Sequence, residues 1–284
     1  MSPSIYTHET IYIPPREEES APLEVAIGCS WGQCTFCDFA RDAFRILPRD
    51  KILENIEGLS RLFPNKERVF FLGENAFVLP ADALLDLFAQ VRKRMPKVET
   101  FAMYARADDV LSKNPAELEA LRSAGLDALH IGVESGSDSI LAERKKGLTA
   151  QQMLEAFRLL EIAGIDYHLT VVLGLGGKDY SRLHAIETAR LLNKTHPRSI
   201  WCLKLAIFEG TPLSQECKAG SFDPMAPSEV LAELRLLLQN LTVTNCIFED
   251  TTVLDTYTLQ GNLPEQKDLL LRAIDELLAA HDGL

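Results

Sequence analysis

No stretch of the chain approaches the run of about 18 apolar residues from which a membrane-spanning helix is built, so no membrane anchor is expected. The N-terminus, Met1 to Thr10, lacks the basic segment and apolar core of a secretion signal. Basic residues are in deficit, with 29 Lys and Arg against 41 Asp and Glu and a net charge of -12. That balance argues against a nucleic-acid partner, because neutralising phosphates needs clustered cations. Cysteine is scarce: six in 284 residues do not make a disulfide framework. Three are bunched and three (Cys202, Cys217, Cys246) are scattered, which suits a reducing cytoplasm. The scattered ones read as buried small hydrophobes or spectators. No linker or low-complexity stretch interrupts the chain.

Nearly half the residues are apolar and a quarter are charged, enough to bury a sizeable core. Strand-like apolar runs alternate with helical periodicity. Leu23 to Ile27 reads as a strand, Asp50 to Phe63 as a helix and Arg68 to Leu72 as a strand. Pro80 to Met95 is helical, Val98 to Tyr104 extended, and a helix opens at Asn114-Pro115 and ends at Ala124-Gly125. A strand over Ala128 to Val133, a helix from Thr149 to Ala163 and a strand over Tyr167 to Leu173 come next. A helix over Tyr180 to Asn193, a strand over Ile200 to Ile207 and a helix over Ser228 to Leu241 complete six strand–helix units. Such alternation implies a parallel sheet with right-handed crossovers, either part of an eight-stranded barrel or an open doubly wound sheet. The tail carries a strand over Thr244 to Asp250 and an amphipathic helix over Pro264 to Ala280, read as a cover over the sheet or barrel mouth.

Cys29, Cys34 and Cys37 lie within nine residues, directly after the first apolar run. Three thiolates on a loop leaving a strand can hold three irons of a [4Fe–4S] cube and leave the fourth open to a small molecule. Zinc is the competing metal and would need a fourth ligand such as His8 or His130. In parallel α/β folds, ligands bind beyond the carboxyl ends of the strands. Those ends carry Gly73-Glu74-Asn75, Tyr104-Ala105-Arg106, Glu134-Ser135-Gly136-Ser137, Gly174 to Lys178 and Phe208 to Pro212. Taken singly, Glu74 and Glu134 read as solvated acids, Arg106 as a surface partner of Asp108 or Asp109, and Gly174 to Gly177 as a turn. Together they suit a zwitterionic nucleoside.

These residues resemble the radical S-adenosylmethionine (SAM) superfamily over about Glu24 to Pro212. The loop is CxxxxCxxC, one residue longer than the family's usual CxxxCxxC. Similar extended loops occur in members related to the methylthiotransferase and anaerobic coproporphyrinogen oxidase branches. The resemblance implies a partial (β/α)6 TIM-like barrel over residues 23–241, preceded by an extended segment (1–22) and followed by a strand–helix extension (242–284). It implies an oxygen-sensitive enzyme in which Cys29, Cys34 and Cys37 ligate a [4Fe–4S] cluster whose free iron binds S-adenosyl-L-methionine. Phe36 matches the aromatic residue before the last cysteine. Gly73-Glu74 resembles the GGEP motif that meets the SAM amino group, with Asn75-Ala76 in place of its proline end. Glu134, Ser135 and Lys146 resemble the fourth-strand signature near the ribose and SAM carboxylate, and Val172 to Gly177 the adenine segment containing Gly174. Arg106 joins these as a cofactor-binding candidate, and Glu209 to Pro212 resembles the sixth-strand PGTP element.

The implied chemistry is reductive cleavage of SAM to a 5′-deoxyadenosyl radical that abstracts hydrogen from a small-molecule substrate. The electron would come from a donor such as flavodoxin or ferredoxin. Tyr104, His168 and Lys204 are the candidate catalytic side chains, each a polar break in an apolar strand, and Cys246 is a candidate hydrogen donor. Two alternatives stand. One is a tRNA- or peptide-modifying enzyme with a basic rim drawn from Lys145, Lys146, Arg182, Lys194 and Arg198; the other is a non-catalytic iron–sulfur or zinc module.

Overall fold

The computed structural model describes residues 5–9, 11–38, 42–254 and 257–281. Thr10, Phe39 and the outermost residues of both expected terminal segments lie outside them. The elements follow in the order β1 (Ala21–Glu24), β2 (Ala26–Ile27), β3 (Arg45–Ile46), α1 (Arg49–Leu62), β4 (Arg68–Leu72), α2 (Ala81–Arg94) and β5 (Thr100–Ala105). Next come α3 (Ala107–Leu111), α4 (Pro115–Ser123), β6 (Leu126–Glu134), α5 (Asp138–Glu143), α6 (Ala150–Ala163), β7 (Asp166–Leu173) and α7 (Gly177–Leu192). The chain ends with β8 (Ser199–Lys204), α8 (Pro212–Ala219), α9 (Pro227–Asn240), β9 (Cys246–Leu254), β10 (Tyr257–Leu263) and α10 (Lys267–His281).

Eight strands form a mostly parallel sheet in the order β1-β4-β5-β6-β7-β8-β9-β10, and β2 pairs with β3 in a separate ladder. The order is sequential and open, with β10 antiparallel to β9. Parallel neighbours need a crossover, and each of β4 to β8 is followed by helix. By contacts the chain divides into two compact units, residues 1–32, 39–131 and 159–166 in one and residues 33–38, 132–158 and 167–284 in the other.

In the first unit the strands send alternate side chains to opposite faces. One face packs on α2, where Phe88 stacks on Phe101 at 4.0 Å and Phe71 meets Phe88 edge-on at 5.5 Å. The other presents Phe70, Leu72, Ala102 and Ala128, against which Tyr6, Ile11, Ile13 and Tyr104 pack. The N-terminal segment therefore lies along this face. It is fastened by Glu17, buried in a 3-10 turn, which accepts hydrogen bonds from Arg68 Nε and Nη2, both at 2.8 Å, and faces His130 Nε2 at 3.0 Å. Burial alone would raise the Glu17 pKa, but the hydrogen bonds from Arg68 and His130 lower it to about 2.

The second unit is held by α7 against α9. Ala185, Ala189 and Leu192 are buried in α7, and Leu231, Leu234 and Leu238 in α9. Phe157 stacks on Tyr167 at 5.1 Å.

Five elements escape a reading by periodicity, among them the two-residue β3. The helices α3, α5 and α8 are only 5, 6 and 8 residues long, too short to show a stripe. The sequence of β10, Tyr-Thr-Leu-Gln-Gly-Asn-Leu, carries Gln, Gly and Asn in its centre, and it pairs antiparallel as the last strand of the sheet. The sixth strand stops at Lys204, short of Ile207. Beyond it Ile207 and Phe208 are exposed, although Leu205 N still donates to Leu173 O at 2.9 Å. Helix α7 begins three residues earlier than Tyr180, at Gly177.

Candidate active site

The chain leaves β2 through Gly28, whose φ is +71°. A Cβ there would stand 2.6 Å from the Asp42 carbonyl oxygen, so the turn needs glycine. Cys29, Cys34 and Cys37 follow, each half-buried and outside any disulfide among the described residues. In the second unit, Cys34 to Cys37 form a turn in which Cys37 N donates to Cys34 O at 3.4 Å. Its middle residue is tied on both sides: Thr35 N donates to Arg144 O at 3.0 Å and Leu213 N to Thr35 O at 2.9 Å.

Both anchors are themselves fixed. Arg144 is 1% exposed, with its guanidinium on Glu216 at 2.7 Å and on Glu143, over the Phe222 ring at 5.0 Å. Helix α8 is capped by Thr211, whose hydroxyl accepts from Ser214 N at 3.2 Å, so the Glu209 to Pro212 element acts locally as a helix cap. Among the described residues, no three His, Cys, Asp or Glu side chains are drawn into metal-holding geometry. The donor chemistry nevertheless fits an iron–sulfur centre. Three thiols lie on one short loop, and the buried hydroxyl of Thr35 beside them has no partner among the described residues. The two histidines that zinc could recruit are engaged, His130 with Glu17 and His8 with Asp42 at 3.2 Å.

In the first unit, Gly73 has a φ of +117° and passes so close to Ala26 that a Cβ would lie 3.0 Å from its Cβ and carbonyl oxygen. Burial raises the Glu74 pKa, with Asp42's charge adding to it against a backbone hydrogen bond. Asn75 is buried and works in three directions. Its Oδ1 accepts from Ser30 N at 3.1 Å, and its Nδ2 donates to Ser30 Oγ at 2.7 Å and Asp109 Oδ2 at 3.0 Å. Asp109 Oδ2 also accepts from Arg106 N at 3.0 Å. Arg106 pairs with Asp108 through two hydrogen bonds, at 2.9 and 3.1 Å, and lies over the Trp31 ring at 5.1 Å. The pairing with Asp108 is as the sequence suggests, but the Arg106 side chain is buried against the cysteine loop instead of lying on the surface. Tyr104 meets Phe70 edge-on at 5.0 Å, and burial, then the charges of Glu74 and Glu17, raise its pKa.

In the second unit, β6 ends at Glu134 with a φ of +64°, a left-handed backbone that non-glycine residues seldom adopt. Its carboxylate folds back over Gly132, where a Cβ would fall 2.0 Å from Glu134 Oε1, and Oε1 accepts from Lys146 Nζ at 2.8 Å. Lys146 is therefore buried and paired, not part of a basic rim. Ser135 is fully buried, its hydroxyl accepting from Ser137 N at 3.1 Å. Gly136 N donates to Thr188 Oγ1 at 2.9 Å, and a Cβ on Gly136 would lie 2.3 Å from the Glu187 carbonyl oxygen. Gly136→Ala should accordingly cost about 2 kcal/mol of stability, read as a lowered urea midpoint at unchanged slope. Gly174 has a φ of +81° and donates its N–H to Glu233 Oε1 at 2.7 Å. Phe36 and Leu205 pack against Ile140, Val172 and Leu175, an apolar bed.

The remaining candidates disperse. His168 lies near the start of β7, its Nδ1 2.7 Å from Ser199 Oγ, roughly 17 Å along the strand from Leu173. It lines a groove of about 560 Å³ with Arg198 and Cys246. Cys246 is buried, and burial pushes its thiol pKa up to about 12. Lys204 does sit at the carboxyl end of its strand, opposite Leu173. Periodicity did not single out Asn75, Arg144, His184 or Glu233. The last two are fully buried, and their mark in the sequence is a titratable group on the apolar stripe of a helix.

Comparison with known proteins bears on this arrangement. The Radical SAM superfamily profile matches residues 23–192, well over half of the chain. Among curated proteins, the chain is 30% identical over 170 residues to a 4'-phospho-dehydrooxetanocin synthase of Priestia megaterium, covering 53% of this chain and 23% of that protein. It is 23% identical over 248 residues to a tRNA-2-methylthio-N(6)-dimethylallyladenosine synthase of Fusobacterium nucleatum, covering 81% of this chain and 53% of that one. The chain thus spans about half the length of these relatives or less. Of solved structures, methylornithine synthase aligns with a TM-score of 0.56 at 14% identity over 93% of this chain and 85% of its own. Coproporphyrinogen III oxidase from Escherichia coli aligns with a TM-score of 0.57 at 14% identity over 78% and 52%. The fold they share with it is the TIM-like partial barrel. No helix among the described residues is long and apolar enough to cross a membrane. With its cysteine loop, its glycine and carboxylate strand ends and the profile match in agreement, the chain belongs to the radical SAM superfamily, whose enzymes use a [4Fe–4S] cluster and S-adenosylmethionine.

Proposed function

We propose that this protein cleaves S-adenosylmethionine reductively and uses the radical so formed on a small-molecule substrate. The observation that carries the reading is the cysteine loop itself: three cysteines at CxxxxCxxC spacing, inside the span that matches the superfamily. Cys29, Cys34 and Cys37 would ligate the cluster, and a soluble reductant such as flavodoxin or ferredoxin would feed it. When bound, the cluster and SAM supply the electron and the 5′-deoxyadenosyl radical that removes a hydrogen atom from carbon. The chain's own part is to bind and orient. The apolar bed of Phe36, Val172 and Leu175 offers a surface for the adenine, and Gly174 allows close backbone approach. Lys146 offers the counter-charge for the SAM carboxylate and Glu134 an acceptor for ribose hydroxyls. Gly73 and Glu74 would receive the amino group, the raised pKa of Glu74 reflecting a buried acid that gains from a cationic partner. Arg106 would hold the cysteine loop through Trp31.

The test is anaerobic reconstitution followed by iron, sulfide and zinc analysis. We expect iron and sulfide in equal amounts, no stoichiometric zinc, and dithionite-dependent release of 5′-deoxyadenosine. Protein that stays colourless and takes up zinc instead defeats the reading.

A further inference from the structure

The second unit contains a fully buried His–Glu pair that bonds to the backbone at the ends of two neighbouring sheet strands. His184, on α7, places Nε2 3.1 Å from the Glu134 carbonyl oxygen and Nδ1 2.9 Å from Glu233 Oε1. Glu233, on α9, also accepts the Gly174 N–H with the same oxygen at 2.7 Å. Both side chains are 0% exposed, and Glu233 Oε2 has no partner among the described residues. A carbonyl oxygen only accepts, so His184 Nε2 must carry a hydrogen. Glu233 Oε1 faces Nδ1, so one further proton lies between ring and carboxylate, and the pair is neutral overall whichever atom holds it. A neutral, hydrogen-bonded pair is what burial tolerates.

The bond to the Glu134 carbonyl falls where the backbone is strained. Glu134 holds a φ of +64°, and in that conformation its carboxylate doubles back over Gly132 towards Lys146. Left-handed backbone at a non-glycine residue persists where surrounding bonds over-determine it. Helices α7 and α9, packed together, deliver the bond from outside the strands.

We infer that His184 and Glu233 are positioning residues, a buried brace that fixes the backbone of Glu134 and Gly174 in the geometry that receives S-adenosylmethionine. This inference rests on the reading of Glu134 and Gly174 as SAM-binding positions given above. The brace touches no ligand; it acts through the strand ends.

The experiment measures SAM binding by anaerobic equilibrium dialysis on reconstituted protein, with thermal melting of each variant alongside. His184→Asn keeps a polar atom near the Nδ1 position and loses the bond to the Glu134 carbonyl, whereas His184→Gln can reach the Nε2 position and keep it. His184→Asn should raise the dissociation constant about tenfold and His184→Gln less than about twofold, the scale on which supporting partners of a ligand site act. In a Glu134→Ala background, His184→Asn should add nothing, because it works through Glu134. Amide hydrogen exchange over residues 173–177, measured without SAM, should quicken in Glu233→Gln. That variant and this readout carry the comparison if His184→Asn does not fold. A lowered melting temperature with wild-type SAM affinity in His184→Asn overturns the brace and leaves the SAM reading standing, provided Glu134→Ala still weakens binding. Unchanged affinity in Glu134→Ala overturns the assignment of Glu134 and the brace with it.

Discussion

Cys34→Ala protein, reconstituted without oxygen, should retain no cluster and release 5′-deoxyadenosine only at the level of a protein-free blank. Two thiolates remain on the loop, and a cube held at two corners does not survive gel filtration. The loss should exceed the hundredfold or so that supporting partners of a metal ligand command, because here the ligand itself is gone. The fold should not follow. The backbone bonds of Thr35 to Arg144 and Leu213 do not involve the thiol, so the melting temperature of the metal-free protein should stay within about 1 °C of wild type. Cys217→Ala is the control, a half-buried thiol outside the loop, and should keep both iron and cleavage. Cleavage by Cys34→Ala at even a tenth of the wild-type rate removes Cys34 from the ligand set.

Glu17→Ala should be the most damaging change away from the cysteines. Its carboxylate is 1% exposed, carries two bonds from Arg68 and faces His130. Removing it leaves a guanidinium largely buried without its main partner. The drop of the Glu17 pKa from 4.5 to about 2 corresponds to about 3 kcal/mol, or a fall in melting temperature of roughly 6–12 °C. The pH dependence has a definite sign. A depressed carboxylate pKa means that the stabilisation is complete above pH 4.5 and fades as the pH falls towards 2. Burial also lowers the His130 pKa, so below 6.5 the unfolded chain takes up that proton first and acid again favours unfolding. Urea midpoints of wild type and Glu17→Ala should therefore lie far apart at pH 7 and converge towards pH 3. A constant gap rules out this account of Glu17.

The parts legible in the sequence are those with a repeating or rare signal. Leu84, Leu87, Phe88 and Val91 mark the buried stripe of α2, and Arg68 to Leu72 declares itself by apolar density alone. Three cysteines in nine residues cannot be missed. What escaped depends on pairs remote in the chain. His184 and Glu233 stand 49 residues apart, and nothing local says that one faces the other. Arg144 reads as one more surface cation beside Lys145 and Lys146, yet it is the residue from which the cysteine turn is hung. Helix α8 has a start signal in Thr211-Pro212, but a family resemblance says nothing of its capping chemistry. His168 shows the opposite error. A polar residue in an apolar strand says nothing about which end of the strand it occupies, and this one belongs to the amino half.

The departure at Asn75 has a consequence for how loop length and sequence go together. The prolonged first gap between the cysteines includes Ser30, and both polar groups of Ser30, amide and hydroxyl, are caught by the one carboxamide of Asn75. A proline at that position, as in the GGEP pattern, has no carboxamide to offer either group. The Asn75 carboxamide thus pins the start of the cysteine loop to the end of β4, and Asn75→Pro would release both groups of Ser30 at once.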